Sequence, residues 1–373
     1  MKRDKKSAAI ISGFDPYSYK GGIETFLLNL KTLLMERDIS VDIHFVSPSP
    51  TMKVKPFTVK SLEKKIPEFL QDCFMLGRAL SKIQEDYDFI ISNNFYGLGY
   101  FAPKVKSFNI YHSTHVGYAN ALRGKVPQAY YRELKYLYGY VGDGLGGRGK
   151  GRIAVSQSIK DELRRYYGFR KVNVVNHGID TEFYKKLKET TALRKKWDIH
   201  ADAFVGIFVG RWEIGKGTDI MEDVIRAHPD IVWLLAIGPS QCPLRGIGNV
   251  RIVEDADKET LRELYSASDF MLLPSYYEGF GLTVIEAMAC ALPVICTKVG
   301  VANDLFLSDT LRKLGLERCG KDEMVKEIGC RISFLRKTAD KDRITALGRS
   351  IIEREYPLDV WKSKMLTALG LSH

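Results

Sequence analysis

Between Phe270 and Gly300 the chain runs Phe-Met-Leu-Leu, then Pro-Ser-Tyr-Tyr-Glu-Gly-Phe-Gly, then Leu-Thr-Val-Ile-Glu-Ala-Met-Ala, then a second apolar run from Pro293. Four consecutive apolar residues bounded by Pro274 and Ser275 read as a strand buried on both faces. From Leu282 to Ala291 the apolar positions 282, 285 and 288 share one side of a helix. A strand, a glycine-containing loop, a helix and a second strand make a βαβ unit. Its strands are parallel, and both faces of such a sheet need cover. The chain therefore belongs with the α/β proteins.

The same alternation runs through both halves. In the first, strand-like runs occur at Ala8 to Ser12, Val41 to Val46, Phe89 to Ser92, Asn109 to His112 and Ile153 to Val155. Ile23, Phe26, Leu27, Leu30, Leu33 and Leu34 form one helical stripe after the loop from Gly13 to Gly22. The second half repeats it at Phe204 to Val209, Ile231 to Gly238, Val250 to Val253 and Phe270 to Leu273. Two doubly wound parallel sheets, hence two domains, are the expected fold, and 373 residues with 45% hydrophobic content suffice for two cores.

The loop before Leu282 opens a helix at the carboxyl end of a strand, where exposed amides and the helix dipole favour a phosphate. Gly279 and Gly281 let the backbone approach a ligand closely. Glu278 and Glu286, eight positions apart, flank that cradle. A carboxylate repels a bare anion but accepts hydrogen bonds from hydroxyls, so the expected ligand carries hydroxyls on both sides of its phosphates. A nucleotide-sugar fits. In the second half, Gly210-Arg211-Trp-Glu-Ile-Gly-Lys216-Gly217 follows a strand and offers two cations to one diphosphate.

The stretch with Pro-Ser, Glu278, Gly-Phe-Gly, Glu286-Ala-Met-Ala and Pro-Val-Ile resembles the Glu-x7-Glu signature of glycosyltransferase family 4, retaining enzymes of GT-B architecture. The resemblance implies two Rossmann-like domains facing a cleft, with bounds at residues 1–177 and 178–352. It also implies that residues 353–373 form a terminal helix, its apolar side at 356, 360, 361, 365 and 369, that crosses back to the first domain. By the same likeness Glu278 lies at the donor sugar and Glu286 at the ribose hydroxyls. The amides of Gly279, Phe280, Gly281 and Leu282 cradle phosphate, and Arg211 and Lys216 hold the diphosphate. Gly22, in Gly-Gly-Ile-Glu-Thr, matches a first-loop glycine that touches the donor phosphate, and His112, in Tyr-His-Ser-Thr, matches a histidine near the donor sugar. His115 is the alternative register. The catalytic set is Glu278, His112, Arg211 and Lys216. Asn176-His177-Gly178-Ile179-Asp180 resembles the family's Asn-Gly-Val-Asp turn with a histidine inserted. The chain departs from the pattern at Gly238-Pro239-Ser240 and at Val301, which leaves base and sugar identity open.

The expected reaction is transfer of a hexose-type sugar, from a UDP-sugar by preference, to a hydroxyl of a cell-envelope glycan or glycolipid. No cofactor and no metal are expected. Two histidines three apart on a strand point to opposite faces, and Asp86-Tyr-Asp88 and Asp255-Ala-Asp257 sit in charged sequence. A sugar-nucleotide epimerase of the same architecture and a non-catalytic basic binding protein are the alternatives. A nicotinamide dehydrogenase lacks its Gly-x-Gly-x-x-Gly at the first loop, and no nucleic-acid module is recognisable.

Net charge is +11, all of it in the first half: residues 1–180 hold 28 Lys+Arg against 17 Asp+Glu. Residues 101–160 carry ten bases and two acids, interleaved with Tyr118, Tyr130, Tyr131, Tyr136, Tyr138 and Tyr140. Such a surface suits an anionic membrane or an anionic acceptor. With no apolar run long enough to span a bilayer and no signal-peptide pattern, the reading is a cytoplasmic protein, peripheral at the inner membrane face. The six cysteines show no Cys-x-x-Cys pairing and read as reduced core residues. Residues 48–70, rich in proline and lysine without a period, read as a mobile stretch near the acceptor side. Leu137 to Gly151, with seven glycines in fifteen residues, reads as a flexible loop.

Overall fold

The computed structural model describes residues 5–18, 21–47 and 67–372. It divides into two compact units, 1–176 with 362–373, and 177–361. Residues 48–66 of the stretch expected to be mobile lie outside the described residues, whereas Pro67 to Leu70 lead into the Glu68–Ile83 helix.

The first unit holds β1 (Ser7–Phe14), β2 (Ser40–Ser47), β3 (Phe89–Asn93), β4 (Lys106–Tyr111), β5 (Gly151–Ala154) and β6 (Asn173–Val174). All are parallel, in the order β2-β1-β3-β4-β5-β6. Ala8 to Ile11 are fully buried, as expected for a strand covered on both faces. The second unit holds β7 (Phe204–Val209), β8 (Ile231–Ile237), β9 (Val250–Glu254), β10 (Phe270–Leu273), β11 (Val294–Thr297) and β12 (Gly315–Leu316). These run in the order β12-β11-β10-β7-β8-β9, again all parallel.

In the second unit β7 and β10 are neighbours, with Phe270 opposite Gly206. The chain leaves β7 toward β8 and β9, and leaves β10 toward β11 and β12, so strand order reverses between them. At such a switch point the two carboxyl-end loops diverge and leave a crevice. This places residues 210–217 beside residues 274–281.

The glycine-rich stretch and the terminal helix depart from the sequence expectation. The glycine-rich stretch 137–151 is mostly helical: a π-helix runs Glu133–Asp143, a short helix Gly144–Gly146 continues it, and a turn at residues 147–150 leads into β5. Its glycines serve close approach. A Cβ on Gly139 would stand 2.6 Å from Val116, on Gly146 2.6 Å from the Asn94 carbonyl, and on Gly147 2.1 Å from the Tyr111 hydroxyl. The terminal helix is also not continuous from Arg354. One helix ends at Glu355, and another runs Leu358–Leu369. Pro357 disfavours helical geometry at Tyr356 and lacks the N–H that would continue the ladder. In the first unit, Lys362 bridges Glu36 at 2.9 Å and the Lys106 ammonium donates to the Leu369 carbonyl at 2.8 Å.

All six cysteines are free thiols; Cys73, Cys242, Cys290 and Cys296 are buried, whereas Cys330 is exposed and Cys319 half-buried, so those two are not core residues.

Candidate functional site

The crevice of the second unit brings together two residues 62 positions apart. The Lys216 ammonium donates to both Glu278 oxygens, at 2.7 and 2.9 Å, and the Ser275 hydroxyl donates to the same carboxylate at 2.8 Å. Both side chains are largely buried, Lys216 at 20% exposure and Glu278 at 9%. The backbone explains the fit. Gly217 closes the turn after Lys216 at φ +71°, and a Cβ there would lie 2.1 Å from the Pro274 carbonyl. Only glycine lets the two loops pack this closely. The Tyr276 amide donates to the Gly215 carbonyl at 2.9 Å, and the Tyr276 hydroxyl donates to Asp219 at 2.9 Å. A third loop joins them, since the Val301 amide donates to the Phe280 carbonyl at 2.7 Å.

Gly281 sits at φ +102° and starts the Leu282–Ala289 helix without a capping side chain or an acidic first turn. The first amides of that helix, at Leu282 and Thr283, are left for a ligand or water, and the dipole there is uncompensated. Phe280 contributes backbone rather than ring: its side chain is buried edge-on to His177, with ring centroids 4.9 Å apart, and near Tyr356 at 6.0 Å. The inserted histidine of the Asn-His-Gly-Ile-Asp turn thus supports the loop from beneath. Burial pushes the His177 imidazole down to about 3, so it stays neutral.

Glu286 lies on the second turn of the same helix, half-buried. Its oxygens accept from the Tyr184 hydroxyl at 3.2 Å and the Tyr265 hydroxyl at 3.0 Å. Burial raises its carboxyl above the ordinary glutamate range, and the two hydroxyls partly hold it down. Burial also pushes the Cys290 thiol up to about 12, the Glu286 charge adding to it, so Cys290 is inert. Arg211 stands apart from the Lys216 pair, 69% exposed and bridged to Glu213 at 2.9 Å.

Gly22 and His112 belong to the first unit. Gly22 is the first residue of the Gly22–Met35 helix, which follows an extended Gly21 without a side-chain cap. The ring of Phe26, on this helix, meets His112 edge-on at 4.8 Å. His112 follows β4, largely buried, with its Nε2 2.9 Å from Asn93 Oδ1. Its amide donates to Asn94 Oδ1 at 2.8 Å. The two histidines do not share a strand as the spacing suggested, because His115 opens a helix, His115–Ala121. Asp143, fully buried, receives the His115 amide at 2.7 Å, faces its Nδ1 at 3.1 Å and accepts from the Tyr167 hydroxyl at 3.1 Å.

Tyr184, Tyr265, Ser275, His177 and Asp143 were not singled out by sequence. Ser275 stood inside the recognised stretch and His177 was an odd insertion, but nothing along the chain links Tyr184 to a glutamate 102 positions on. Among the described residues no group of three or more His, Cys, Asp or Glu is placed to hold a metal.

Two family descriptions match the chain, Glycosyltransferase Family 4 over residues 20–183 and Glycosyl transferases group 1 over residues 189–327. The chain belongs to glycosyltransferase family 4. Over 171 residues it is 33% identical to D-inositol 3-phosphate glycosyltransferase 2 of Catenulispora acidiphila, covering 40% of each chain. The chain spans about two fifths of the length of the first curated relatives it matches. Among solved structures, sucrose-phosphate synthase of Thermosynechococcus elongatus superposes with a TM-score of 0.74 at 20% identity, covering 97% of this chain and 98% of that one. Anabaena HepE, crystallised with UDP-glucose, superposes at 0.69 with 16% identity, covering 98% and 99%. These likenesses show the GT-B fold.

Proposed function

We propose that this family 4 protein transfers a hexose-type sugar from a nucleoside-diphospho-sugar, a UDP-sugar by preference, to a hydroxyl of a cell-envelope glycan or glycolipid. Retention at the anomeric carbon and independence from metal belong to the proposal. The observation that carries it is the Lys216–Glu278 pair set against an uncapped helix N-terminus at the strand-order reversal. The name of the D-inositol 3-phosphate relative and the UDP-glucose in the HepE structure support it.

The chemistry follows from proton counts. An ammonium carries three protons, and Glu278 takes at most two, so one remains for a phosphate oxygen of the donor. That proton and the Leu282 and Thr283 amides face the charge that builds as the sugar-phosphate bond breaks. The exposed Arg211 guanidinium can exchange Glu213 for the diphosphate and bind it through two N–H groups. A carboxylate offers about four lone-pair sites, so Glu286 accepts ribose hydroxyls beside its tyrosines, and Glu278 a sugar hydroxyl. With no dedicated nucleophile, the acceptor hydroxyl attacks from the leaving-group side and its proton passes to the departing phosphate oxygen. On the first unit, Gly22 is assigned to the donor phosphate and His112 to the donor sugar, and we place the acceptor, and attachment to an anionic membrane, on this basic half.

A thermal-shift panel of UDP, GDP, ADP and their glucose conjugates tests the reading. A ligand at a hundred times its Kd stabilises by about 2.7 kcal/mol, a rise of roughly 5 to 10 °C for a unit of this size. If none of the nucleotides raises the melting temperature, the proposal fails.

A further inference from the structure

The largest concentration of exposed rings lies on the first unit. Of the seven large hydrophobic residues exposed among the described ones, Tyr130, Tyr136, Tyr140 and Val141 fall within one twelve-residue stretch. Arg132, the last residue of the Gln128–Arg132 helix, is followed at intervals of four by Tyr136 and Tyr140 on the π-helix. The Tyr136 and Tyr140 rings lie 6.0 Å apart, which puts them side by side on one face. The aromatic row continues onto the Gln157–Tyr167 helix, with Tyr140 6.3 Å from Tyr167 and Tyr167 6.4 Å from Tyr166. Cations are woven through it. The Lys135 ammonium stands over Tyr131 at 5.4 Å and over Tyr136 at 5.9 Å, and the Arg165 guanidinium over Tyr166 at 5.7 Å. Arg123, Lys125, Arg132 and Arg164, neighbours of these tyrosines in sequence, are exposed. Between residues 123 and 142 the single acid is Glu133 against four bases.

We infer that this face, built on Arg132, Lys135, Tyr136, Tyr140 and Arg165, docks onto the anionic surface of a lipid bilayer. Tyrosine has an apolar ring and a polar tip, which suits the headgroup boundary, and long basic side chains lay their stems on apolar surface while their charges reach phosphate. Leaving several such rings in water is unfavourable without a surface to receive them. The wide π-helical turn explains how they come to be presented, since the buried glycines Gly139 and Gly142 let the helix sink against Val116 and Phe95 and turn Tyr140 and Val141 outward. The inference extends the proposed function by naming the surface on which a lipid-linked acceptor would be met, but it does not depend on the donor reading.

The test is co-sedimentation of the full chain with vesicles of phosphatidylcholine alone and of phosphatidylcholine doped with phosphatidylglycerol. Binding is expected to the anionic vesicles only, weakening as salt rises. Each base near such a surface contributes about fivefold, so Arg132→Glu with Lys135→Glu lowers partitioning at least about 25-fold. Tyr136→Ser with Tyr140→Ser lowers it about tenfold and does so in high salt as well, where charge is screened. Leu307→Ser, which removes a still more exposed apolar side chain from the second unit, leaves binding unchanged. Absence of binding to the doped vesicles, indifference to both double substitutions, or tighter salt-sensitive binding to a single-stranded RNA would overturn the inference. The UDP-induced thermal shift, measured on every variant, separates loss of docking from loss of fold and from failure of the donor reading.

Discussion

Replacing Lys216 by methionine keeps the stem and removes the ammonium from a carboxylate that is only 9% exposed. With both Nζ–O distances below 3 Å, the Coulomb attraction at an effective dielectric of about 20 is roughly 6 kcal/mol. Desolvation of the two groups takes back more than half, and Ser275 still donates to Glu278 in the variant, so the expected loss is about 2 to 3 kcal/mol. At roughly 2 to 4 °C per kcal/mol this lowers the melting temperature of the second unit by about 4 to 12 °C. Glu278→Gln in the same background removes the stranded charge and recovers most of the loss, giving a coupling energy of about 2 kcal/mol in a double-mutant cycle. Calorimetry of the wild type, the two single variants and the double variant reads this directly. Additive single effects would refute the claim that these two residues form one electrostatic unit. Donor turnover should fall in the same variant because the phosphate loses a proton donor, whereas UDP binding should weaken less.

Other outcomes follow from particular contacts. Glu286→Gln weakens UDP binding about tenfold by calorimetric titration and narrows the preference over the 2′-deoxy nucleotide. Because burial raises the Glu286 carboxyl, the wild type loses stability as pH rises from the unfolded glutamate value through the folded one, and Glu286→Gln removes that loss. Gly147→Ala, whose Cβ would meet the buried Tyr111 hydroxyl at 2.1 Å, destabilises by about 3 kcal/mol or more in denaturant titration, while Gly144→Ala, with its nearest contact at 3.5 Å in helical backbone, is neutral or stabilising. Burial pushes the Lys150 ammonium down to about 7. The unfolded chain therefore holds a proton that the folded chain releases, so the contribution of Lys150 to stability falls as pH drops from about 10 to about 7 and is level below. Melting curves of wild type against Lys150→Met across that range show the difference.

The order of strands and helices, the apolar stripes, the glycine loop with its two glutamates and the Arg211–Lys216 spacing were written locally, in periods of two and 3.6 and in turn chemistry, and could be read without coordinates. What depended on packing could not. A glycine looks the same in sequence whether it loosens a loop or admits a neighbouring backbone, so residues 137–151 read as a flexible loop until Val116, Asn94 and Tyr111 were found pressed against them. The tyrosines that hold Glu286, the carboxylate that turns His115 and the ammonium that meets Glu278 come from distant segments, brought together by strand order. Local sequence specifies which backbone shapes are affordable, because propensities and caps act within a few residues. Which side chains then share a crevice is decided by the crossovers and the reversal between β7 and β10, a property of the whole sheet that no short stretch contains.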